Sequence, residues 1–198
     1  ARQHFWTNHY NFPPEPFPIY GPPDSTKQVV YYTHFSWGGT VDYDPISSFT
    51  YSIETSNDSL FRYIDWSRRG LTDTSLIIAT DSLIDIGPIY WRVKAVDDDS
   101  LVRLGGIPEG ARYMMILPAG DANSNGVTDG LDVTFLVNYL KGIGPAPDPL
   151  LAADANGSCW TNGPDVVYMV NYLKGMGAPP VRGDCDQITA SNGGYQAK

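Results

Sequence analysis

Basic residues are scarce in this 198-residue chain: 13 Lys and Arg stand against 22 Asp and Glu, for a formal net charge of -9. That shortage removes the positive footprint that nucleic acid or an anionic membrane surface requires. Long hydrophobic runs are missing too. Stretches such as Tyr113-Met114-Met115-Ile116-Leu117 fall far short of the roughly 20 apolar residues that span a bilayer. Charged residues make up only 18% of the chain, too few for the outer faces of a helical bundle. Catalytic signatures are absent as well: there is no GxSxG elbow, no HExxH and no phosphate loop, and His4, His9 and His34 are scattered. Aromatics, in contrast, reach 13%, alongside 16 Pro and 20 Gly, a balance that suits short strands and turns.

Cysteine is nearly absent. Cys159 and Cys185 lie outside any CxxC pair or zinc-ligand spacing, so a disulfide between them is the economical reading, with two buried free thiols as the alternative. Closing a loop of that length stabilises a fold by about 3 kcal/mol in the chain-entropy picture. The sequence starts at Ala1 without a basic-then-apolar leader, as a mature secreted protein would, although a trimmed chain would begin the same way. The expected location is therefore extracellular or at the cell surface.

An internal repeat is the strongest signal. Asp121-Ala-Asn-Ser-Asn-Gly-Val-Thr-Asp-Gly-Leu-Asp132 with Val133 to Gly142 recurs as Asp154-Ala-Asn-Gly-Ser-Cys-Trp-Thr-Asn-Gly-Pro-Asp165 with Val166 to Gly175. Roughly 13 of about 22 aligned positions are identical, at a period of about 33. A twelve-residue calcium loop takes side-chain oxygens at positions 1, 3, 5 and 12, a backbone carbonyl at 7, a direct or water-mediated ligand at 9, and Gly at 6 for the turn. The first repeat supplies Asp121, Asn123, Asn125, Val127 through its carbonyl, Asp129 and Asp132, with Gly126 at the turn. The second supplies Asp154, Asn156, Ser158, Trp160 through its carbonyl, Asn162 and Asp165, with Cys159 at the turn. Oxygen-only donors favour Ca²⁺ over zinc. Fewer carboxylates and a non-glycine turn predict weaker binding at the second site, partly offset if a disulfide holds Cys159.

The pattern turns helical after each loop. Val133, Leu136, Val137 and Leu140, and again Val166, Met169, Val170 and Leu173, follow the i, i+3, i+4, i+7 spacing of an amphipathic helix. Gly142 and Gly175 are stop signals beside Lys141 and Lys174. The two helices are expected to pack face to face.

Residues 120–175 resemble a type I dockerin, a pair of loop-helix calcium repeats with Asp at position 12 and no entering helix; Pro118 and Pro149 stand where that helix would lie. The resemblance implies binding to a cohesin module on another protein. Cohesin contacts in the family usually use hydroxyl residues near loop positions 10 and 11, where this chain has Gly130-Leu131 and Gly163-Pro164.

From about Val29 to Leu117 the period changes to two. Phe49, Tyr51 and Ile53 alternate with Thr50, Ser52 and Glu54, which predicts a half-buried strand. Ile89, Trp91, Val93 and Ala95 alternate in the same way. Turn clusters fall at Gly38-Gly39, Ser56 to Ser59, Arg69-Gly70, Asp97 to Ser100 and Gly105-Gly106. These spacings predict an antiparallel sandwich. The segment from Gly87 to Asp97, with Phe35-Ser-Trp37 and Phe49 to Ile53, resembles the core strands of a fibronectin type III domain. Carboxylates such as Glu54 with Asp65 can be paired on paper, and the run Asp97 to Asp99 reads as a solvated turn, because a small sandwich lacks a catalytic cleft. Phe61 to Trp66 reads as a strand with one face open to a sugar or a protein, or as an irregular strand wholly covered by neighbouring loops. Asn57-Asp-Ser59 is a glycosylation sequon in a surface turn; Asn156-Gly-Ser158 also matches, but falls on expected calcium ligands.

Residues 1–28 interleave Phe5, Trp6, Tyr10, Phe12, Phe17 and Tyr20 with Pro13, Pro14, Pro16, Pro18, Pro22 and Pro23. Proline bars a helix and a central strand, so an extended arm is expected. Phe17-Pro-Ile-Tyr20 suits a first edge strand, whereas Phe5, Trp6, Tyr10 and Phe12 suit an intermolecular contact made by strand addition.

The expectation is a mainly β protein with a small α domain: an arm over 1–28, an immunoglobulin or fibronectin III-like sandwich over 29–117, a dockerin-like EF-hand pair over 118–186 and a flexible tail over 187–198. Its function is expected to be non-enzymatic: a subunit of a calcium-stabilised extracellular filament or surface layer, joined to other copies of itself through the arm. The alternatives are an anchoring module for a cohesin-like receptor and a carbohydrate-binding sandwich.

Overall fold

The computed structural model describes residues 11–44, 48–83, 86–106 and 108–185. Among the described residues nine strands come first: β1 (Ile19–Gly21), β2 (Thr26–Gln28), β3 (Tyr32–Trp37), β4 (Phe49–Ser56), β5 (Trp66–Leu71), β6 (Ser75–Ala79), β7 (Gly87–Asp97), β8 (Val102–Leu104) and β9 (Arg112–Ile116). Helices α1 (Gly130–Leu140) and α2 (Gly163–Leu173) follow. One sheet has the order β1-β3-β6; the other runs β2-β9-β7-β4-β5, with β8 also on β7. The protein is thus a mainly β structure in two sheets followed by a two-helix region.

Two compact units emerge: one of residues 1–23, 35–76 and 90–112, the other of 24–34, 77–89 and 113–198. In the first, the aromatic core follows from alternation. Odd positions of β7 point inward, burying Trp91, Val93 and Ala95, and Phe35 and Trp37 of β3 do the same. Phe35 packs edge-on against Trp91 with centroids 4.9 Å apart, and Phe17 and Trp37 both meet Tyr51 at 5.5 Å. Phe17 is buried, and Ile19 of β1 pairs Trp37.

Three local expectations differ. Strand β4 is not half-buried, because Ser52 and Glu54 on its second face are covered too. Glu54 lies directly across from Arg92 in the β4–β7 register. It accepts from Arg92 Nε at 2.9 Å and Nη2 at 2.8 Å, while Lys94 Nζ reaches its other oxygen at 2.5 Å. The second difference is Arg69-Gly70, which is not a turn but part of β5, with Gly70 at φ +71° where the register with β4 shifts. This bulge and two exposed arginines occupy a sheet edge, where charge and twist discourage pairing with another chain. Third, Phe61 to Asp65 is irregular, and β5 begins only at Trp66. The Phe61 ring instead lies 4.1 Å from the Arg92 guanidinium carbon and covers that face of the sheet.

In the second unit, β2 runs parallel to β9, Thr26 opposite Met114 and Gln28 opposite Ile116, an exception to the expected antiparallel plan. Pro22 and Pro23, which cannot donate ladder hydrogen bonds, separate β1 in one sheet from β2 in the other. Val29, Val30, Leu117, Leu151 and Ala152 form one buried cluster, against which Met115 and Cys185 pack. A second cluster holds the helices together: Leu136 and Met169 from equivalent positions, with Ala122, Ala153 and Ala155. Each helix ends in the same cap. Gly142 and Gly175 sit at φ +72°, and their amides donate to Tyr139 and Tyr172 while the next residues donate to Asn138 and Asn171. This paired pattern satisfies carbonyls that the last turn leaves open.

Candidate calcium-binding site

The two loops before α1 and α2 are built by their own carboxylates. In the first, Asp121 is buried and accepts from the amides of Asn125 at 3.0 Å and Gly126 at 2.8 Å. Asp132, inside the first turn of α1, reaches back to the amides of Asn123 at 3.0 Å and Asp129 at 2.8 Å. Asp129 caps α1 through the Leu131 amide at 2.7 Å. Asn123 and Asn125 brace the amides two residues on, at 3.0 and 2.9 Å. The second loop repeats the plan. Asp154 takes Ser158 and Cys159 at 3.1 and 2.8 Å, Asn156 takes Ser158 at 2.9 Å, and Asp165 takes Ala155 at 3.0 Å and Asn162 at 2.9 Å.

Position 6 of the loop is glycine in the first repeat and cysteine in the second. Both φ angles are positive there, +90° at Gly126 and +64° at Cys159. Position 4 is left-handed in both loops as well, with Ser124 at +57° and Gly157 at +71°. Each loop therefore holds one glycine and one L-residue in this region, and backbone strain does not separate them. Charge does: Asp129 in the first loop is matched by Asn162 in the second.

Cys159 is bonded to Cys185 with S–S 2.11 Å. The returning segment is held alongside, Val181 donating to Ala155 O at 3.1 Å and Tyr31 donating to Gly183 O at 2.9 Å. Gly183 cannot be larger, since a Cβ there would lie 2.6 Å from Cys185 Sγ. Arg182, buried enough to lower its pKa, pairs with Asp81.

The electrostatics fit a cation. Burial raises the pKa of Asp121, Asp132, Asp154 and Asp165, Asp154 to about 6. Among the described residues none of the four forms an ion pair with Lys or Arg. Asn162 Oδ1 is buried without a hydrogen-bond partner. Buried carboxylates and an orphaned carbonyl oxygen, all hard donors, form the ligand set a calcium ion completes.

The remaining nominated residues lie apart. Glu54 and Asp65 do not form a catalytic pair: Glu54 serves Arg92 and Lys94, and Asp65 accepts from the Asn57 amide at 2.6 Å. Asn57 is exposed in its turn. Phe12 is 58% exposed, while Phe5, Trp6 and Tyr10 lie outside the described residues.

Residues 119–174 match the family model of the dockerin type I domain. The C-terminal part of the chain is accordingly a dockerin-type, EF-hand-like calcium-binding module, preceded by a β-sheet domain that resembles an immunoglobulin or fibronectin III sandwich. Dockerin-type modules and fibronectin III-like sandwiches are non-catalytic modules. No curated protein matches the chain. Among solved structures it is similar to CopC from Methylosinus trichosporium OB3b, at 10% identity over 50% of this chain and 92% of that one, with a TM-score of 0.31. No helix among the described residues is long and apolar enough to cross a membrane.

Proposed function

We propose that this protein is a secreted anchoring component: a dockerin-type module, folded around two calcium ions, docks a cohesin-like receptor and carries the preceding sandwich with it. The functional parts are the arm over 1–28, the sandwich over 29–117, the module over 118–186 and the tail over 187–198. The observation that supports docking is an apolar surface that folding does not use. Leu131 is 64% exposed, and Val167, Leu173, Ile143 and Met176 stay exposed while Leu136 and Met169 are fully covered. Leu131 and Pro164 stand where hydroxyl contacts are expected in the family, so the receptor face complementary to this one is apolar. The first loop is the tighter calcium site because it carries one more carboxylate. The disulfide, and a glycan on Asn57, suit an oxidising extracellular setting.

Surface plasmon resonance on immobilised cohesin modules tests the reading. Capture is expected in calcium, lost in chelator and weakened at least tenfold by Leu131→Asp. Self-assembly through the arm is the second reading, favoured by Phe12, which lies exposed beside Tyr43. Calcium-dependent polymers in electron micrographs that vanish on deleting residues 1–12, from a protein that captures no cohesin, would replace anchoring by assembly. Carbohydrate binding at Trp66 has less support, since the open strand expected before it is a loop.

A further inference from the structure

The run Asp97 to Asp99, which reads as a solvated turn in sequence, is not solvated at its first residue. Asp97 ends β7 and is only 6% exposed. Its Oδ1 accepts from the Leu101 amide at 2.7 Å, and its Oδ2 is buried without a hydrogen-bond partner. Among the described residues it forms no ion pair with Lys or Arg. Two further carboxylates converge on it from the segment after β3: Asp42, Asp44 and Asp97 each place an oxygen within 4.8 Å of the others. Backbone amides fix this arrangement too. Asp42 Oδ1 accepts from the Asp44 amide at 3.0 Å, and Asp44 Oδ2 accepts from the Phe12 amide at 2.8 Å.

Three carboxylates this close repel one another, and an ionised oxygen buried without a donor is costly. A divalent cation at 2.3–2.6 Å from each ligand removes both penalties, and two oxygens on opposite sides of such an ion stand about 4.8 Å apart. We propose that Asp42, Asp44 and Asp97 form a third calcium site, in the sandwich rather than in the dockerin-type module. The donors are all hard oxygens, so the site takes Ca²⁺ in preference to softer metals. It draws ligands from the loop after β3 and the end of β7, so occupancy ties the Phe12 segment, that loop and the Asp97–Leu101 turn together. With three protein carboxylates and the rest of the shell from water or backbone, its affinity falls in the extracellular-module range, Kd about 0.1 to 1 mM.

The test uses the full chain, isotopically labelled, titrated with calcium chloride from the micromolar range to ten millimolar, so that the dockerin loops saturate first. The amides of Leu101, Asp44 and Phe12, which donate to the three carboxylates, are expected to shift in this second phase. Asp97→Asn should move its half-saturation at least tenfold, with the loop amides of Gly126 and Cys159 unchanged. If Asp97→Asn does not fold, the double variant Asp42→Asn/Asp44→Asn, which alters less buried positions, should abolish the same phase. Amides at 12, 44 and 101 that stay still through ten millimolar calcium, or a second phase unaffected by these substitutions, would overturn the site.

Discussion

Both halves of the protein bury carboxylates, and Glu54 in one and the loop aspartates in the other are compensated in opposite ways. In the sandwich, Glu54 has counter-ions of its own. Burial pushes its pKa up, but hydrogen bonds and charge from Lys94 and Arg92 outweigh that and hold it below its ordinary value. In the dockerin-type module, Asp121, Asp132, Asp154 and Asp165 are met by backbone amides and, among the described residues, by no base, and burial raises all four. Sheet geometry explains the first case, since cross-strand register fixes two long cations opposite one acid. A twelve-residue loop has no such neighbour and must take its positive charge from solution. Around Glu54 the sheet is therefore electrostatically complete as folded, whereas the loops of the module are completed by an ion.

Calcium withdrawal breaks this comparison most strongly. In a calcium-depleted buffer, hydrogen-exchange protection at Leu136 and Met169 is expected to fall by about a hundredfold or more, as for a fold whose binding energy is folding energy. Protection at Ile53 and Val93 should persist. Equal loss in both places would show that the sandwich depends on the ion as much as the module does.

Substitution separates the regions next. Glu54→Gln strands two cations that keep some access to water, so the cost is about 2–3 kcal/mol, below the 3–5 typical of a fully buried pair, and the same with or without calcium. Asp132→Asn should behave differently. Without calcium it removes a buried charge that no cation offsets, together with one amide acceptor, so stability changes little, while with calcium it lowers stability by weakening the first site. Urea melts of both variants in both buffers read this directly.

Acid gives a smaller and opposite pair of slopes. The folded-state pKa of Glu54 lies below its unfolded value, so its contribution is complete above the ordinary carboxylate range and is lost as pH falls through the lowered value. The loop aspartates lie above theirs, so without calcium the folded module holds more protons than the unfolded chain. Its stability is greatest in acid and declines as pH rises towards and through about 6, the value for Asp154. With calcium the module reverses: protons compete with the ion, and affinity climbs across the same window. Calcium titrations at pH 5 and 7 check the sign.

How far these features were visible in sequence depends on how local they are. The loops were legible because their spacing is set by one short stretch of chain, and the β7 core because its alternation survives burial on one face. Alternation alone puts Glu54 on the open face of a half-buried strand, since nothing in β4 announces that Phe61 and Arg92 will cover it. Gly70 gave the same signal for a bulge as for a turn. The parallel β2–β9 pair and the gathering of Asp42 and Asp44 around Asp97 join segments far apart in sequence, and no periodicity carries that information.

The smallest predicted effect sharpens the comparison within the module itself. The two loops share their strain equally, and they differ in charge at position 9 and in the disulfide on the second. Asp129→Asn removes the charge difference while keeping a residue that caps a helix as well as Asp does. Calcium affinity at the first site is expected to fall by about three- to tenfold, as for loss of one carboxylate from a water-screened loop. Calorimetry would then find the sites nearly equal, or the second tighter, with the Cys159–Cys185 bond as the remaining difference. A first site that keeps its full advantage would mean that its affinity comes from loop rigidity and not from charge.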